Sequence, residues 1–111
     1  MPLLNVSTSQ NISEKEIFLN KSSKFISSLL DKSEDFVMVK LNDSLPMQFA
    51  GTNQPSCFIE IKSIGSLNPS QMSEQICDFF SEAIGVKPER IYINFVDINS
   101  SMWGWNNRTF G

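Results

Sequence analysis

Two stretches of this sequence resemble each other at a spacing of fifty-five residues. Residues 32–39 read KSEDFVMV and residues 87–94 read KPERIYIN, so a short charged segment leads into an apolar run in both. Repetition on this scale is typical of a supersecondary unit that occurs twice. Because a strand-like and a helix-like segment precede each stretch, the sequence predicts two successive β-α-β units.

The pattern of apolar residues locates four strands, predicted over residues 2–8, 36–41, 57–62 and 91–96. Parallel strands within a unit need a right-handed crossover, so both helices should cover the same face of the sheet. The expected fold is therefore of the α+β class, a four-stranded mixed sheet with two helices on one face. At 111 residues, the range 1–111 is expected to form a single domain.

Capping residues and apolar spacing predict where the helices lie. Ser13 and Glu16 have the spacing of a capping box at the start of the first helix. Asn68 and Pro69 suit the N-cap and first position of the second helix, and Gly85 suits a left-handed C-cap. An apolar stripe at helical spacing marks the buried face of the first helix: Phe18, Phe25, Ile26, Leu29 and Leu30.

One face of the predicted sheet has no helix to cover it. Alternation along strands 57–62 and 91–96 places Phe58, Tyr92 and Val96 on this face, beside charged side chains. Large apolar side chains grouped in this way are poorly suited to water. We therefore expect further copies of the chain to cover the face by symmetric association.

The composition excludes several kinds of chemistry. The chain contains no histidine, which excludes Ser-His-Asp and Cys-His catalysis and argues against a transition-metal site. Cys57 and Cys77 form no C-x-x-C pair, so buried free thiols are expected instead of a redox or zinc motif. A net charge of −3 gives no basic surface for a nucleic acid. Neither a metal nor a nucleic acid is expected as a partner.

The first twenty residues lack the pattern of a signal peptide, because no basic segment is followed by a continuous apolar run. No later stretch is long and apolar enough to span a membrane. The sequence therefore predicts a cytoplasmic protein with no membrane partner, and export by a leaderless route stays open.

Pro2 becomes a terminal secondary amine if Met1 is removed. An α-amino group ordinarily has a pKa of about 8. Burial in an apolar site and a neighbouring cation both disfavour the ammonium form, so both lower that pKa. A neutral amine is suited to removing a proton beside a carbonyl. The alternative is that Pro2 is an ordinary second residue without a chemical role.

Four separate motifs carry a resemblance to a known family: Met1-Pro2, residues 62–65 (KSIG), residues 88–94 (PERIYIN) and residues 103–111 (WGWNNRTFG). In this order they span the chain, which resembles the tautomerase superfamily and, within it, the macrophage migration inhibitory factor family. The resemblance implies a homotrimer whose sheets line a central channel. It also implies an active site at each subunit boundary.

The resemblance assigns roles to particular residues. Pro2 would be the catalytic base, and Lys32 would lower the pKa of the proline and bind a substrate carboxylate or enolate oxygen. A solvated lysine that only complements the helix dipole is the alternative for Lys32. The backbone amide of Ile64 would face the substrate, while Tyr92 and Asn94 would enter from the neighbouring subunit.

An aromatic wall is the remaining part of the implied site. Four side chains would exclude water and stack on a flat substrate: Phe36, Trp103, Trp105 and Phe110. For Trp105 and Phe110, packing in the core or between subunits is a near-equal alternative. Trp103 stands where the mammalian cytokines usually carry a smaller aliphatic residue, a change that alters the width of the pocket.

The function implied is that of a cofactor-independent isomerase. It would be a keto-enol tautomerase acting on an α-keto acid such as phenylpyruvate, or on an aromatic enol of the dopachrome type. No metal or organic cofactor is expected. The alternative is a cytokine-like signalling protein that binds a receptor and keeps the pocket in a vestigial or secondary role.

Overall fold

The computed structural model describes all 111 residues, which form two β-α-β units in succession. The first contains β1 (Leu3–Thr8), α1 (Lys15–Leu30) and β2 (Met38–Asn42), and the second contains β3 (Cys57–Ser63), α2 (Pro69–Ile84) and β4 (Ile91–Asp97). A short hairpin of β5 (Gly104–Trp105) and β6 (Arg108–Thr109) follows. Neither helix has the length and hydropathy needed to cross a membrane.

The four long strands form one mixed sheet in the order β2-β1-β3-β4. β1 is parallel to β2 and β3 is parallel to β4, whereas β1 and β3 are antiparallel. The predicted α+β fold with two β-α-β repeats is confirmed. The helices repeat at fifty-four residues, from Lys15 to Pro69 and from Leu30 to Ile84, which is one residue less than the spacing of the sequence motifs.

A single turn of 3₁₀ helix precedes the last strand of each unit, over Glu34–Phe36 and Pro88–Arg90. In the first of these turns the Ser33 hydroxyl accepts a hydrogen bond from the amide of Asp35 at 3.2 Å. Because this turn takes up Phe36, β2 begins at Met38 and not at the predicted position. The two turns place Phe36 and Arg90 outside the strands that follow them.

The predicted capping box of α1 is wrong. α1 begins at Lys15, and no side chain caps its first amides. The segment before the helix is fixed instead by Asp43, whose carboxylate accepts from the amide of Ile12 at 2.9 Å and pairs with the Lys15 ammonium at 3.2 Å. The Ile12 bond, with Lys15 beside it, lowers the pKa of Asp43. Asp43, which follows β2, therefore fixes the segment before the helix but does not cap the helix itself.

α2 lies close to its predicted position. Pro69 is its first residue, and Gly85 ends it with a φ of 82°, a conformation that favours glycine. Asn68 occupies the N-cap, but its side chain makes no capping hydrogen bond. Its backbone carbonyl accepts from the amides of Gln71 and Met72 at 3.1 and 3.0 Å, which closes the first turn.

The core lies between the helices and one face of the sheet. Leu4 and Val6 of β1 are paired with Ile61 and Ile59 of β3, and all four are fully buried. Phe25 and Leu29 of the predicted stripe are only partly buried against this cluster. Six buried side chains of the helices belong to the same core: Phe18, Ile26, Leu30, Ile76, Phe80 and Ile84.

The two thiols differ in their surroundings. Cys57 is buried as predicted, whereas Cys77 is only half-buried, so the prediction of a buried thiol is wrong there. Cys77 lies on α2 with its sulfur 3.6 Å from the carbonyl oxygen of Pro88, and it packs against the core. Burial, with the nearby Cys77, raises the pKa of Cys57 to about 12. Both cysteines are free.

The other face of the sheet is uncovered in the single chain, as predicted. Phe58 of β3 and Tyr92 of β4 are neighbours in the register and are 38% and 64% exposed. Met38 of β2 is exposed as well. Glu60 and Asn94 form another pair on the same face. Apolar, charged and amide side chains are thus interleaved on this surface.

The C-terminal hairpin is absent from the elements predicted above. Asn106 and Asn107 connect its strands with φ values of 53° and 65°. A two-residue type I′ turn requires both residues in this left-handed region, which asparagine tolerates better than most residues. The amide of Phe110 donates to the carbonyl of Trp103 at 3.1 Å, so the two segments stay together beyond the ladder.

Candidate active site

A cleft of about 530 Å³ lies where the amino terminus meets the C-terminal hairpin. The start of β1, the turn before β2 and residues 98–110 contribute to its walls. Five of the residues predicted for the site line it: Pro2, Phe36, Trp103, Trp105 and Phe110.

Pro2 is fixed in this cleft because it leads directly into a central strand. β1 lies between β2 and β3, so the start of the chain is held on both sides. The Pro2 carbonyl accepts from the amide of Met38 at 3.0 Å, and Leu3 is paired with both Met38 and Lys62. The proline ring is fully buried. A proline is tolerated here because it precedes the first residue of the strand and has no amide to leave unpaired.

The surroundings of the amino terminus favour a neutral amine. Partial burial lowers the pKa of the Met1 α-amino group, and the positive charge of Lys32 lowers it further. Both causes act against the ammonium form. Pro2, the next residue, is fully buried with Met1 in place.

Lys32 is held between two loops. Asp31 ends α1 with a φ of 52°, and the amide of Lys32 then donates to the carbonyl of Ser27 at 3.0 Å. The Lys32 ammonium donates to the carbonyl oxygen of Ile64, which follows β3, at 3.3 Å. The side chain is only half exposed. Lys32 is therefore directed away from open solvent and towards the end of the sheet that carries the terminal amine.

Aromatic rings form a continuous wall of the cleft. Trp105 and Phe110 are stacked, with centroids 5.5 Å apart and 7° between their planes. Phe36 meets Trp105 edge-on at 5.4 Å and Phe110 at 6.2 Å. Trp103 lines the same cleft beside the exposed Met102. None of these rings belongs to the hydrophobic core, so the structure places them at the cleft and not in the interior.

Four predicted residues do not line this cleft in the single chain: Lys32, Ile64, Tyr92 and Asn94. Lys32 acts on the terminal amine through its charge, and Ile64 contacts Lys32 through its carbonyl oxygen. Tyr92 and Asn94 lie exposed on β4, on the uncovered face of the sheet. The single chain therefore brings together the amine, the nearby cation and the aromatic wall, but not the two polar residues of β4.

Two charged residues line the cleft although the sequence did not indicate them, Asp35 and Lys62. Lys62 lies opposite Leu3 in the antiparallel ladder, one residue from Pro2. Alternation along β3 predicts that Lys62 lies on the uncovered face. Its position beside the start of β1 depends on how β1 and β3 pair, which the sequence of a single strand does not show. Asp35 lies in the 3₁₀ turn before β2. The cleft therefore has a cation and an anion of its own.

This arrangement is suited to proton transfer beside a carbonyl group. An amine with a lowered pKa can accept a proton near neutral pH, and a cation can stabilise the negative oxygen that results. Flat aromatic surfaces can bind a planar substrate and exclude water. No group of three or more Cys, Asp or Glu side chains converges anywhere in the chain to hold a metal ion.

A second cleft, of about 570 Å³, lies between the start of α1 and the end of α2. Its walls combine apolar side chains such as Ile17 and Phe79 with Glu14, Lys21 and Glu82. None of the predicted site residues lines it. The smaller cleft is therefore the candidate site, because Met1, whose α-amino group has the lowered pKa, lines it together with Pro2.

Comparison with known proteins points to one family. The family model described as macrophage migration inhibitory factor matches residues 1–111. The macrophage migration inhibitory factor of Mus musculus is 31% identical, over 99% of both chains. The homologue from Trichuris trichiura is 34% identical, over 99% of this chain and all of the relative.

Solved structures agree with this result. The homologue from Prochlorococcus marinus superposes with a TM-score of 0.92 at 36% identity, over 98% of this chain and 99% of the other. The protein from Trichinella spiralis gives a TM-score of 0.89 at 27% identity, over 96% and 98% of the two chains. The similarity extends over nearly the whole length of each.

Proposed function

The chain belongs to the macrophage migration inhibitory factor family, within the tautomerase superfamily, and on this premise we propose that residues 1–111 act as one keto-enol tautomerase domain. The substrate class is a planar α-keto acid such as phenylpyruvate, or an aromatic enol of the dopachrome type. No cofactor takes part. The single observation that carries the proposal is the lowered pKa of the Met1 α-amino group beside Lys32, at an aromatic cleft that Pro2 also lines.

In the proposed reaction Pro2, freed by removal of Met1, is the base. Its neutral nitrogen takes a proton from the carbon beside the carbonyl, the electron pair of that C–H bond forms the C=C bond, and the carbonyl oxygen becomes an enolate. The proline ammonium then delivers the proton to the oxygen. Atoms and charge balance, since the product is the enol isomer of the substrate.

Stabilisation of the enolate falls to three groups in this proposal. Lys32 provides the positive charge, and the backbone amide of Ile64 and the side chain of Asn94 provide hydrogen bonds. Tyr92 contributes to substrate binding. Asn94 and Tyr92 belong to the neighbouring subunit, because in their own chain they lie on the uncovered sheet face, away from the cleft.

The proposal therefore includes a homotrimer. The uncovered face carries Phe58, Tyr92 and Met38 at substantial exposure, which supports burial against further copies of the chain. Close structural similarity to other family members over nearly the full chain is consistent with a shared assembly. Each active site is then completed by two subunits.

Replacement of the proposed base is the direct test. Pro2→Gly should lower phenylpyruvate turnover by at least about a hundredfold, because the secondary amine and its fixed position are lost. Pro69→Gly, at the start of α2, is the matched control and should retain turnover. Mass spectrometry of each variant establishes that Met1 has been removed. Wild-type turnover in Pro2→Gly, with Met1 absent, refutes Pro2 as the base.

A receptor-binding role is the second candidate function. Identity of 31% to the macrophage migration inhibitory factor of Mus musculus, over 99% of both chains, supports it. Retention of Met1 in the isolated protein would block the proline nitrogen. An intact mass that includes Met1, together with absence of phenylpyruvate turnover, would favour the binding role over catalysis.

A further inference from the structure

Arg90 is a buried cation without a carboxylate partner. It ends the 3₁₀ turn before β4 and is only 8% exposed. The single ion pair of the chain joins Lys15 to Asp43 and leaves Arg90 out. Burial of an unpaired charge is costly unless hydrogen bonds replace the lost water. The position of Arg90 therefore requires a specific set of acceptors.

Four backbone carbonyls supply those acceptors, all in the loop between β2 and β3. Nε donates to Pro55 at 2.8 Å and Nη1 donates to Phe49 at 3.1 Å. Nη2 donates to Gln54 at 3.0 Å and to Thr52 at 3.4 Å. A planar guanidinium with donors in a fixed fork can satisfy several carbonyls at once. Arg90 thus determines the path of residues 49–55.

The same loop contains a tight turn. Phe49 and Thr52 exchange two backbone hydrogen bonds, at 2.9 and 3.1 Å, around Ala50 and Gly51. Both central residues have positive φ, 54° and 75°. The turn fixes the direction in which the Phe49 side chain leaves the loop.

Phe49 connects Arg90 to Tyr92. The guanidinium carbon of Arg90 lies 5.2 Å from the centroid of the Phe49 ring, within the range of a cation–π contact. The Phe49 ring also contacts the ring of Tyr92, with the two centroids 4.6 Å apart. Tyr92 is 64% exposed on an open sheet face, so the Phe49 ring is a main restraint on its orientation.

We infer that Arg90 is a positioning residue of the active site: it fixes the loop that carries Phe49, and Phe49 holds Tyr92 in the orientation presented to the neighbouring subunit. This inference rests on the proposed function, which gives Tyr92 a role in substrate binding. Arg90 touches neither substrate nor base, and its effect on catalysis passes through Tyr92.

The orientation of Tyr92 can be measured without any assay of activity. Tyr92 is the only tyrosine of the chain, so protein labelled with 3-fluorotyrosine gives a ¹⁹F spectrum from this ring alone. Arg90→Lys and Phe49→Leu should both shift and broaden the resonance. Phe25→Leu is the matched control, because Phe25 also contacts an aromatic ring, that of Phe79 at 4.1 Å between centroids, but on the helical side. It should leave the resonance in place.

Kinetics on phenylpyruvate test the consequence for the site. Arg90→Lys should raise KM about threefold to tenfold, the equivalent of one hydrogen bond, and change kcat by less than about twofold. In a Tyr92→Phe background the further rise in KM should disappear, because the hydroxyl that Arg90 positions is gone. A merely structural arginine would raise KM by the same factor in both backgrounds.

The spectra and the kinetics together decide whether Arg90 positions Tyr92. A shifted Tyr92 resonance, a raised KM and no further rise in the double variant support the inference. An unchanged resonance, or an equal rise in KM with and without the Tyr92 hydroxyl, overturns the inference. The proposed tautomerase function would still stand if the wild type is active. An inactive wild type with Met1 removed overturns the proposed function itself. If Arg90→Lys does not fold, the same measurements on Phe49→Leu decide.

Discussion

The proposed chemistry of this chain depends on the effect of the positive charge of Lys32 on the amine at the amino terminus. The Met1 α-amino group is partly buried and close enough to Lys32 for the lysine charge to lower its pKa. The Lys32 side chain is held by a hydrogen bond that its ammonium donates to the carbonyl oxygen of Ile64. An amine so placed releases its proton at a lower pH than a free terminus, which is the condition for a base at neutral pH.

Neutralising Lys32 should move the pH dependence of turnover. In Lys32→Gln the Coulombic repulsion is lost, so the pKa of the terminal amine rises and the acidic limb of the kcat/KM profile moves to higher pH. Lys24→Gln, which removes the same charge from an exposed position of α1, is the control and should leave the limb in place. A limb that stays fixed in Lys32→Gln would contradict the coupling.

Single residues also show how far the sequence predicts the site. The aromatic residues that line the cleft were expected from the resemblance to the family, and Pro2 lines the cleft with them. Lys62 was missed because its approach to Pro2 depends on the pairing of β1 with β3. Arg90 and Phe49 were missed because residues 43–56 have no periodicity, and a guanidinium bound to four carbonyls shapes that loop.

Among the elements, the C-terminal hairpin has the greatest effect on the cleft. Its two-residue turn, Asn106-Asn107, lies between Trp105 and Phe110, whose rings stack across it. The hairpin contributes nothing to the hydrophobic core, so its conformation depends on the turn and on the stacked rings. A change in the turn should therefore alter the aromatic wall more than the stability of the domain.

Substitution of Asn107 tests this dependence. Asn107→Val places a β-branched residue at a φ of 65°, which costs about 1–2 kcal/mol and should open the wall. KM for phenylpyruvate should rise severalfold while the melting temperature changes little. Asn107→Gly, which accepts positive φ without strain, should keep the wild-type KM. Equal KM values in the valine and glycine variants would show that the turn does not hold the wall.

The helices and strands also show which features of the fold a sequence pattern predicts and which it does not. Both β-α-β units were predicted because apolar periodicity reports burial on one face, and that face here is a single continuous core. The capping box of α1 is not formed, and the segment before the helix is held by Asp43, which follows β2 and accepts from the amide of Ile12. A contact from a distant residue leaves no trace in the local pattern.

For the molecule as a whole, the uncovered face of the sheet is a surface on which large apolar side chains remain exposed in the single chain. The register places Phe58 beside Tyr92, with Glu60 beside Asn94 in a neighbouring row. A small domain gains stability by burying such a face, and in the proposed trimer it also brings two polar residues to a neighbour's cleft. Assembly and catalysis would then share one surface.

A charge on this face should therefore dissociate the assembly. Phe58→Asp, at a side chain that is 38% exposed, should give a monomer in sedimentation velocity, with tautomerase activity lost as well. Ile17→Asp is the matched control on the helical side, where Ile17 is 48% exposed, and should sediment like the wild type. A Phe58→Asp protein that sediments like the wild type would exclude the sheet face as the interface.

The location of Pro2 at the head of a central strand has a practical consequence for the proposed chemistry. An affinity tag fused to the amino end, or a single leftover glycine after protease cleavage, converts the proline nitrogen into an amide while β1 still has both of its partner strands. Such a preparation would be well folded, correctly assembled and inert as an enzyme, so recombinant material for assays needs an authentic amino end.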